Sequence, residues 1–269
     1  MVQGCDYGAQ RPDPACLFRE HGIRFVVRYT SIGPNSKNMS PAEVRQLLDA
    51  GLALVTVFEQ KEGHMLLGRA AGVEAAKASR DLAAACGMPS GRPHYFALDT
   101  DPNPLHDSDW DRIKEYLDGA ASVLGRSAVG VYGGFLAIEK LVPTWAPWGW
   151  QARAWSGGRW SAKAHLQQYR NEVQLCGSAV DLDRTHPDRS IADYGQWGLE
   201  EDLSVMDEAT KQYLDNQFKA VDHHLELIRV GDNPDPPHGR THPNNLATLL
   251  QRIDDIETAL GDIKRHLGI

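Results

Sequence analysis

The stretch PHYFALDTDP, residues 93–102, decides the fold of this chain. It is an apolar run that ends in two carboxylates one residue apart, and a proline follows them. Alternate side chains of a β-strand share a face, so we expect Asp99 and Asp101 to point the same way, with Cα atoms about 6.6 Å apart. Buried parallel strands that present acids at their C-terminal ends are typical of barrel enzymes. The alternative is a strand followed by an Asp-Pro turn that caps a helix starting near Ser108.

Seven further strand-like runs occur in the first 185 residues, and helical segments separate the early ones. The eight runs span residues 2–7, 25–30, 53–60, 94–100, 128–132, 149–155, 165–170 and 178–183. The clearest helix has Ser40 as its N-cap, Glu43 in a capping box and Gly51 past its end. Strands that alternate with helices predict a parallel sheet, and eight of them predict a closed α/β barrel of the (β/α)8, TIM-like type. Because the helices become short after residue 135, we expect an irregular second half.

The C-terminal ends of these runs are rich in polar and aromatic side chains. In a barrel these ends meet at one rim, where the catalytic residues of such enzymes lie. Each residue has a simpler explanation alone, such as a helix cap or a surface ion pair, but together they predict one cleft. The catalytic candidates are Asp6, Glu59, Asp99 and Asp101. The substrate-binding candidates are Arg28, Tyr29, Tyr132, Trp150, Gln151, Gln168, Asp181 and Asp183.

Composition argues against several classes of function. The chain has 269 residues, 42% of them hydrophobic, and a net charge of −8. No apolar run approaches the roughly 20 residues that span a bilayer, so we expect no membrane span. Residues 199–269 carry 14 acidic and 7 basic side chains. Neither this part nor the rest has the basic surface of a nucleic-acid-binding protein, so we expect no nucleic-acid partner.

Targeting and metal motifs are equally sparse. Met1 leads directly into residues 2–6 without a basic region or an apolar core, so we expect no secretory signal. The cysteines show no CxxC spacing and are expected to be free thiols. They are Cys5, Cys16, Cys86 and Cys176. We expect no cofactor and no metal, since no EF-hand loop or HExxH motif occurs. Ca²⁺ or Mg²⁺ in the ring of acids is a minor alternative.

Several short motifs resemble glycoside hydrolase family 25 lysozymes. They are Gly4-Cys5-Asp6, Asp99-Thr100-Asp101 and the spaced residues between Gln168 and Asp181. The glycoside-hydrolase-like branch of actinobacterial proteins and phage lysins is more similar still. It shares FVVRY at 25–29, FALDTD at 96–101, VYGG at 131–134, AWSGG at 154–158 and YGQW at 194–197. The resemblance covers residues 2–198 and implies a β/α barrel that cleaves bacterial cell-wall glycan or descends from one that did.

One position departs from the pattern that the resemblance implies. Family 25 lysozymes carry Asp-x-Glu on this strand with the glutamate as proton donor, and here that position is Asp101. Aspartate is one methylene shorter, which withdraws the acid by about 1.5 Å and can cost on the order of a hundredfold in rate. We expect glycosidic hydrolysis by paired carboxylates, with Asp101 or Glu59 as donor and Asp99 as the ionised partner. Asp6 and Asp181 would complete the acidic ring.

Residues 199–269 have the pattern of an appendage to a barrel domain that spans 1–198. An amphipathic helix is predicted within 199–230, a proline-rich linker over 231–245 and a short coiled coil over 246–269. Leucine mostly at a and isoleucine mostly at d disfavour a parallel dimer, so we expect a homo-oligomer with a trimer as the favoured state. The alternative is a final helix that folds back on the barrel.

Two functions therefore stand after the sequence alone. The first is a lysozyme-like glycosidase that acts on peptidoglycan, with the cell-wall polysaccharide as its partner. The second is a catalytically weak or inactive barrel that binds glycan or serves as a structural subunit of a larger assembly, such as a phage tail or injection machine. Either fits action at the bacterial cell wall by a phage-borne protein or by one that a dedicated machine exports.

Overall fold

The computed structural model describes residues 1–188 and 191–199, which form an eight-stranded barrel with surrounding helices. The elements are β1 (Gln3–Asp6), α1 (Pro14–His21), β2 (Phe25–Thr30), α2 (Pro41–Asp49), β3 (Ala53–Phe58), α3 (Arg69–Ala85), β4 (His94–Ala97), α4 (Asp107–Leu124), β5 (Val129–Gly133), α5 (Phe135–Leu141), β6 (Trp148–Ala152), β7 (Leu166–Leu175) and β8 (Ser178–Thr185). Short 3-10 turns at His64–Leu67 and Arg126–Ala128 precede α3 and β5. No helix in this part of the chain is long and apolar enough to cross a membrane.

The strands close into a barrel in the order β1 to β8, which confirms the predicted barrel. Neighbouring strands from β1 to β7 are parallel, whereas β8 is antiparallel to both β7 and β1. The expectation of an all-parallel sheet is therefore wrong for the last strand. The cause is a two-residue hairpin, Cys176-Gly177, in which φ is positive at both residues (51° and 83°). Such turns match the twist of antiparallel strands and reverse the chain directly.

Helix α2 begins where the sequence predicts. The Ser40 side chain accepts a hydrogen bond of 3.3 Å from the backbone N–H of Glu43, and Gly51 follows the helix with φ of 86°. The Glu43 carboxylate, however, turns inward to Arg28, whose Nε lies 2.8 Å from its Oε1. The capping box is therefore only half formed, because a buried cation competes for the glutamate.

Strand β4 is shorter than the predicted run 94–100. It ends at Ala97, and only the Leu98 N–H continues the ladder with a bond of 2.8 Å to the Tyr132 carbonyl. Asp99 and Asp101 therefore lie in the loop before α4, and the expectation that they share one strand face is wrong. The helix starts at Asp107, one residue before the predicted position.

Aromatic rings close the barrel interior at the N-terminal ends of the strands. A Cβ atom on Gly4 would lie 2.3 Å from the Phe25 ring, so only glycine leaves room for that ring. The Tyr194 ring, from the segment after β8, packs against Phe25 with centroids 4.8 Å apart, and its carbonyl accepts a 2.8 Å bond from the Tyr95 hydroxyl. Polar side chains are thus concentrated toward the opposite end.

Helices cover the outer face of the barrel unevenly. One apolar cluster packs α1 and α2 against the early strands, and another packs α3, α4 and α5 against β3 to β5. No helix lies between β6 and β8 in the chain. This agrees with the expected irregular second half.

Two of the four cysteines form a disulfide bond, Cys16–Cys176, with Cα atoms 5.8 Å apart. The prediction of free thiols is wrong for this pair, and it is right for the buried Cys5 and Cys86. The bonded residues are 160 positions apart in sequence, and only closure of the barrel brings them together. The spacing of the cysteines along the sequence does not predict such a contact.

The described barrel belongs to a compact unit, Met1–Leu199. Beyond Leu199, the predicted helix within 199–230, the linker 231–245 and the coiled coil 246–269 lie outside the described residues.

Candidate active site

Asp6 is the centre of a buried polar cluster inside the barrel. It ends β1 and is 2% exposed. Its Oδ1 accepts a hydrogen bond of 2.6 Å from the Tyr29 hydroxyl, and its Oδ2 accepts one of 2.6 Å from Gln168 Nε2. Short bonds from two strands therefore fix the orientation of this carboxylate.

Asp183, on β8, is fully buried, and its carboxyl group interacts with that of Asp6. Trp150 Nε1 donates to its Oδ1 over 2.9 Å. Its Oδ2 receives no donor from the described residues. Burial, followed by the Asp6 charge, raises the pKa of Asp183 well above its ordinary value. We therefore place the proton on Asp183, which donates to Asp6.

Burial also raises the pKa of Asp6, to about 7, and the charge of Asp181 adds to this effect. The hydrogen bonds from Tyr29, Gln168 and Asp183 oppose it. Burial and the Asp6 charge raise the pKa of the Tyr29 phenol, so Tyr29 remains a hydrogen-bond donor. The cluster thus holds a negative charge with neutral donors.

Asp181 lies opposite Asp6 in the β1–β8 pairing. It accepts hydrogen bonds from the Glu172 N–H (2.7 Å), from Asn171 Nδ2 (2.9 Å) and from Gln168 Nε2 (3.3 Å). The register of β7 is irregular here, and Glu172 has a positive φ of 56°. A bulge in β7 therefore aims polar groups at a carboxylate on the neighbouring strand.

Tyr132 connects this cluster to the rim. Its hydroxyl donates to Gln168 Oε1 over 2.8 Å, which turns the amide nitrogen of Gln168 toward Asp6. Its ring packs against Trp150 with centroids 4.4 Å apart. Burial, and then the charges of carboxylates that include Asp6 and Asp99, raise the pKa of the Tyr132 phenol. Tyr132 is therefore close enough to both Asp6 and Asp99 for their charges to act on its phenol.

A second group of charges lies after β3 and β4. Glu59 is partly buried and forms an ion pair with Lys37, with 2.6 Å between Oε1 and Nζ. Asp99 is half-buried, and its pKa is raised first by burial and then by the Glu59 charge, while Lys37 opposes the rise. Asp99 shares a raised pKa with Asp6 and Asp183, and it differs from them in being partly exposed.

Asp101 is not brought into this arrangement. It is exposed, and its Oδ1 accepts bonds from the N–H (3.0 Å) and the Nδ2 (2.6 Å) of Asn103. These bonds form an Asx turn in the loop that leads to α4. The turn alternative considered for the 93–102 stretch therefore describes Asp101 and does not describe Asp99.

Arg28 and Gln151 are also placed outside the cluster, on the outward faces of β2 and β6. The Arg28 guanidinium is buried between Glu43 and the Tyr7 ring, 4.1 Å from its centroid. Gln151 bonds to the Ser161 N–H over 2.8 Å and to other groups of the loop after β6. Both side chains hold loops in place, and neither faces the carboxylate cluster around Asp6.

Two contributors to the site carry no recognisable sequence pattern. Lys37 belongs to the loop between β2 and α2, and Asn171 to the irregular part of β7. The position of Lys37 depends on a 2.9 Å bond from Arg28 Nη2 to its carbonyl. Loop and bulge geometry place these side chains, so strand periodicity could not have identified them.

Among the described residues, one group of three candidate metal ligands has its atoms within 4.8 Å of each other. The group is Cys16, His21 and Cys176. The disulfide bond uses both sulfur atoms of that group. The described acids of the barrel form no such group.

Comparisons with known proteins agree with this architecture. A family model for the Rv2525c-like, glycoside hydrolase-like domain matches residues 16–191. Rv2525c of Mycobacterium tuberculosis, provisionally named a peptidoglycan hydrolase, is 28% identical over 197 residues, which cover 68% of this chain and 79% of that protein.

Solved structures give the same result. The crystal structure of the Tat-secreted Mycobacterium tuberculosis protein Rv2525c with L-tartrate has a TM-score of 0.65 at 28% identity, and the match covers 73% of this chain and 98% of that chain. The spore cortex lytic enzyme SleM of Clostridium perfringens has a TM-score of 0.51 at 17% identity, with coverage of 69% and 67%. The similarity to SleM shows a shared fold only.

Proposed function

Because the chain belongs to the Rv2525c-like family of glycoside hydrolase-like domains, we propose that it hydrolyses glycosidic bonds in the glycan of bacterial cell walls. The provisional name of its Mycobacterium tuberculosis relative supports peptidoglycan as the substrate. The observation that carries the proposal is the half-buried acid Asp99, of raised pKa, within electrostatic reach of Tyr132, which also contacts the cluster around Asp6. A protonated acid near a fixed negative charge is the requirement of glycoside hydrolysis.

We assign the role of proton donor to Asp99. A general acid must hold its proton at the working pH and must be reachable by substrate. Asp101 is exposed and engaged in a turn, and Glu59 is engaged by Lys37. In the reaction, Asp99 transfers its proton to the glycosidic oxygen as the bond from that oxygen to the anomeric carbon breaks. A water molecule then adds to the anomeric carbon and gives a proton to the Asp99 carboxylate, which restores the acid. This assignment replaces Asp101 or Glu59 as donor, and it changes the expected role of Asp99 from ionised partner to proton donor.

The pair formed by Asp6 and Asp183 supplies negative charge to the transition state. Positive charge develops on the sugar ring as the leaving group departs, and oriented charges in a water-poor site stabilise it strongly. Because Asp6 is only 2% exposed, it acts by its electric field and not by forming a covalent bond. Tyr29 and Gln168 keep its carboxylate oriented throughout.

The aromatic residues divide into two roles. Tyr29 and Tyr132 are partly exposed and are assigned to contact the sugar. Trp150 is 1% exposed, and its indole N–H is bound to Asp183, so it positions the acid pair instead. Export of the relative by the Tat route supports action at the cell wall.

The test is release of reducing sugars from purified peptidoglycan. We expect the wild-type protein to release them, and Asp99→Asn to lower the rate by about a hundredfold or more, as loss of a general acid does. Asp101→Asn is the matched control, since it makes the same chemical change two residues away and should keep most of the activity. The opposite ranking would return the donor role to Asp101. A wild-type protein inactive on every wall glycan would favour the glycan-binding or structural alternative.

A further inference from the structure

A second pocket, of about 310 Å³, lies on the outer side of the barrel near β6, β7 and β8. Three arginines line it, Arg153, Arg159 and Arg184, together with the rings of Trp160 and Tyr169. None of the described residues that line it is acidic. In a protein with a net charge of −8, such a concentration of positive charge needs an explanation.

The pocket and the carboxylate cluster lie on opposite faces of the same strands. Successive residues of a strand point to opposite sides of the sheet. Gln168 and Asp183 face the barrel interior, while their neighbours Gln167 and Arg184 face outward and bond to each other, with 3.0 Å between Arg184 Nε and Gln167 Oε1. The pocket is therefore separate from the proposed catalytic cleft.

Arg184 is held in a fixed orientation before any ligand binds. Its guanidinium carbon lies 4.7 Å from the centroid of the Tyr169 ring and 6.0 Å from that of Trp160. The Tyr169 hydroxyl is itself fixed by a 3.0 Å bond to Gln3. These contacts use the ring faces and the Nε of Arg184 and leave its terminal nitrogens for another partner.

The other two arginines are similarly available. Arg159 packs on Phe135, with its guanidinium carbon 4.2 Å from the ring centroid. Arg153 is exposed, and its backbone N–H is fixed by a 2.9 Å bond to the Gln168 carbonyl. The salt bridges within residues 1–188 and 191–199 involve none of these three arginines. Unneutralised cations around one cavity repel each other, and an anion would relieve that repulsion.

We propose that this pocket binds an oxyanion, a carboxylate or a phosphate, carried by a polymer of the bacterial cell wall. Guanidinium groups match the geometry of both anions and can bond to them through two nitrogens at once. The site anchors the barrel to its substrate outside the cleft, and no bond is made or broken there. The identity of the polymer rests on the proposed function, whereas the preference for an oxyanion does not.

The experiment measures binding of the full chain to insoluble cell walls by sedimentation. Arg153→Gln/Arg159→Gln removes two pocket charges from exposed side chains. Arg45→Gln/Arg112→Gln removes two exposed charges from α2 and α4 and is the matched control. We expect the pocket variant to bind about tenfold more weakly than wild type, since charge-assisted bonds are lost. The control should change by less than about twofold. Inorganic phosphate should displace the wild type better than chloride does at equal ionic strength.

Two wall preparations identify the source of the anion. Treatment with hydrofluoric acid removes phosphate-linked polymers and leaves peptidoglycan. Loss of pocket-dependent binding after treatment assigns the ligand to phosphate, and its persistence assigns it to peptidoglycan carboxylates. Equal binding of the two double variants, or no binding by wild type, overturns the inference. Reducing-sugar release, measured in the same samples, keeps this result distinct from the outcome for hydrolysis.

Discussion

The hydroxyl of Tyr29 on β2 donates a hydrogen bond of 2.6 Å to Oδ1 of Asp6 on β1. Gln168 donates a second hydrogen bond to Asp6, so both side chains that hold this carboxylate are neutral donors. Neutral donors stabilise the charge without cancelling it, so the field of Asp6 remains available to a substrate.

Tyr29→Phe should lower kcat/KM by about tenfold to a hundredfold, because a buried oxygen of Asp6 loses its donor, worth about 1–3 kcal/mol. The pKa of Asp6 should rise further, since this bond lowers it. Steady-state kinetics on soluble wall fragments measures the effect. Tyr116→Phe, which removes a hydroxyl that contacts His64 outside both the cleft and the arginine pocket, should leave kcat/KM nearly unchanged. Equal effects of the two substitutions would contradict the role of Tyr29.

Glu59→Gln should shift the basic limb of the pH–rate profile to lower pH. The Glu59 charge raises the pKa of Asp99, and its removal also frees Lys37, whose charge lowers that pKa. Asp99 would then lose its proton at a lower pH, and a general acid is active only while protonated. Asp101→Asn should leave the limb in place. A limb that does not move with Glu59→Gln would exclude Asp99 as the group that it reports.

Asp183→Asn should keep the site intact and reduce the pH dependence of stability. The fold raises the pKa of Asp183 above its ordinary value of 3.8, so the native state keeps a proton that the unfolded chain releases. The free energy of unfolding therefore falls as pH rises above about 4. Asparagine can still donate to Asp6 and accept from Trp150, but it has no proton to titrate.

Urea unfolding between about pH 5 and about pH 8 tests this behaviour. We expect a flatter profile for Asp183→Asn than for wild type, and greater stability than wild type at the upper end. Asp183→Leu fills similar space without either hydrogen bond and should be less stable throughout. Equal slopes for wild type and Asp183→Asn over this range would contradict a raised pKa for Asp183.

Reduction of Cys16–Cys176 should destabilise the barrel by about 2–4 kcal/mol, because the bond closes a long loop of the unfolded chain. Thermal unfolding with and without a reductant measures the loss. In Cys16→Ala/Cys176→Ala the reductant should have no further effect, since Cys5 and Cys86 are buried and free. A reductant effect that persists in this variant would point to another bond.

The full chain is expected to be an oligomer, with a parallel trimer as the favoured state, because Leu246, Ile253, Leu260 and Leu267 repeat with Leu249, Ile256 and Ile263 in heptads. Light scattering on the full chain and on a chain that ends at Trp197 tests this. The shorter chain should be a monomer. A full chain that is monomeric at micromolar concentration would contradict the predicted oligomer. An oligomeric short chain would show that the coiled coil is not the cause of association.

Strand periodicity was sufficient to predict the barrel and most of the cluster. Position at the C-terminal end of a predicted strand is enough to select Asp6, Tyr29, Tyr132 and Gln168. The same criterion also selects Arg28 and Gln151, each one position out of phase with a neighbour that does face inward. The two-residue period of a strand shows which residues share a face. It shows which face points into the barrel only when the register of the strand is known.

The remaining differences come from geometry that no local pattern encodes. Strand β4 ends at Ala97, so Asp101 lies in a turn although its spacing from Asp99 fits a strand. The pairing of Asp183 with Asp6 depends on the reversal at Cys176-Gly177. These features depend on contacts between distant segments, as the disulfide bond does.

The Cys16–Cys176 bond also has a consequence for the order of assembly during synthesis. Cys16 follows β1 and Cys176 precedes β8, so the bond spans the seam where the first and last strands meet. On the ribosome, β1 emerges long before its partner β8, and Cys176 emerges only after seven strands are complete. Oxidation of this pair can therefore occur only after the first seven strands have been synthesised. It joins α1 to the hairpin that leads into β8, the strand that closes the barrel against β1.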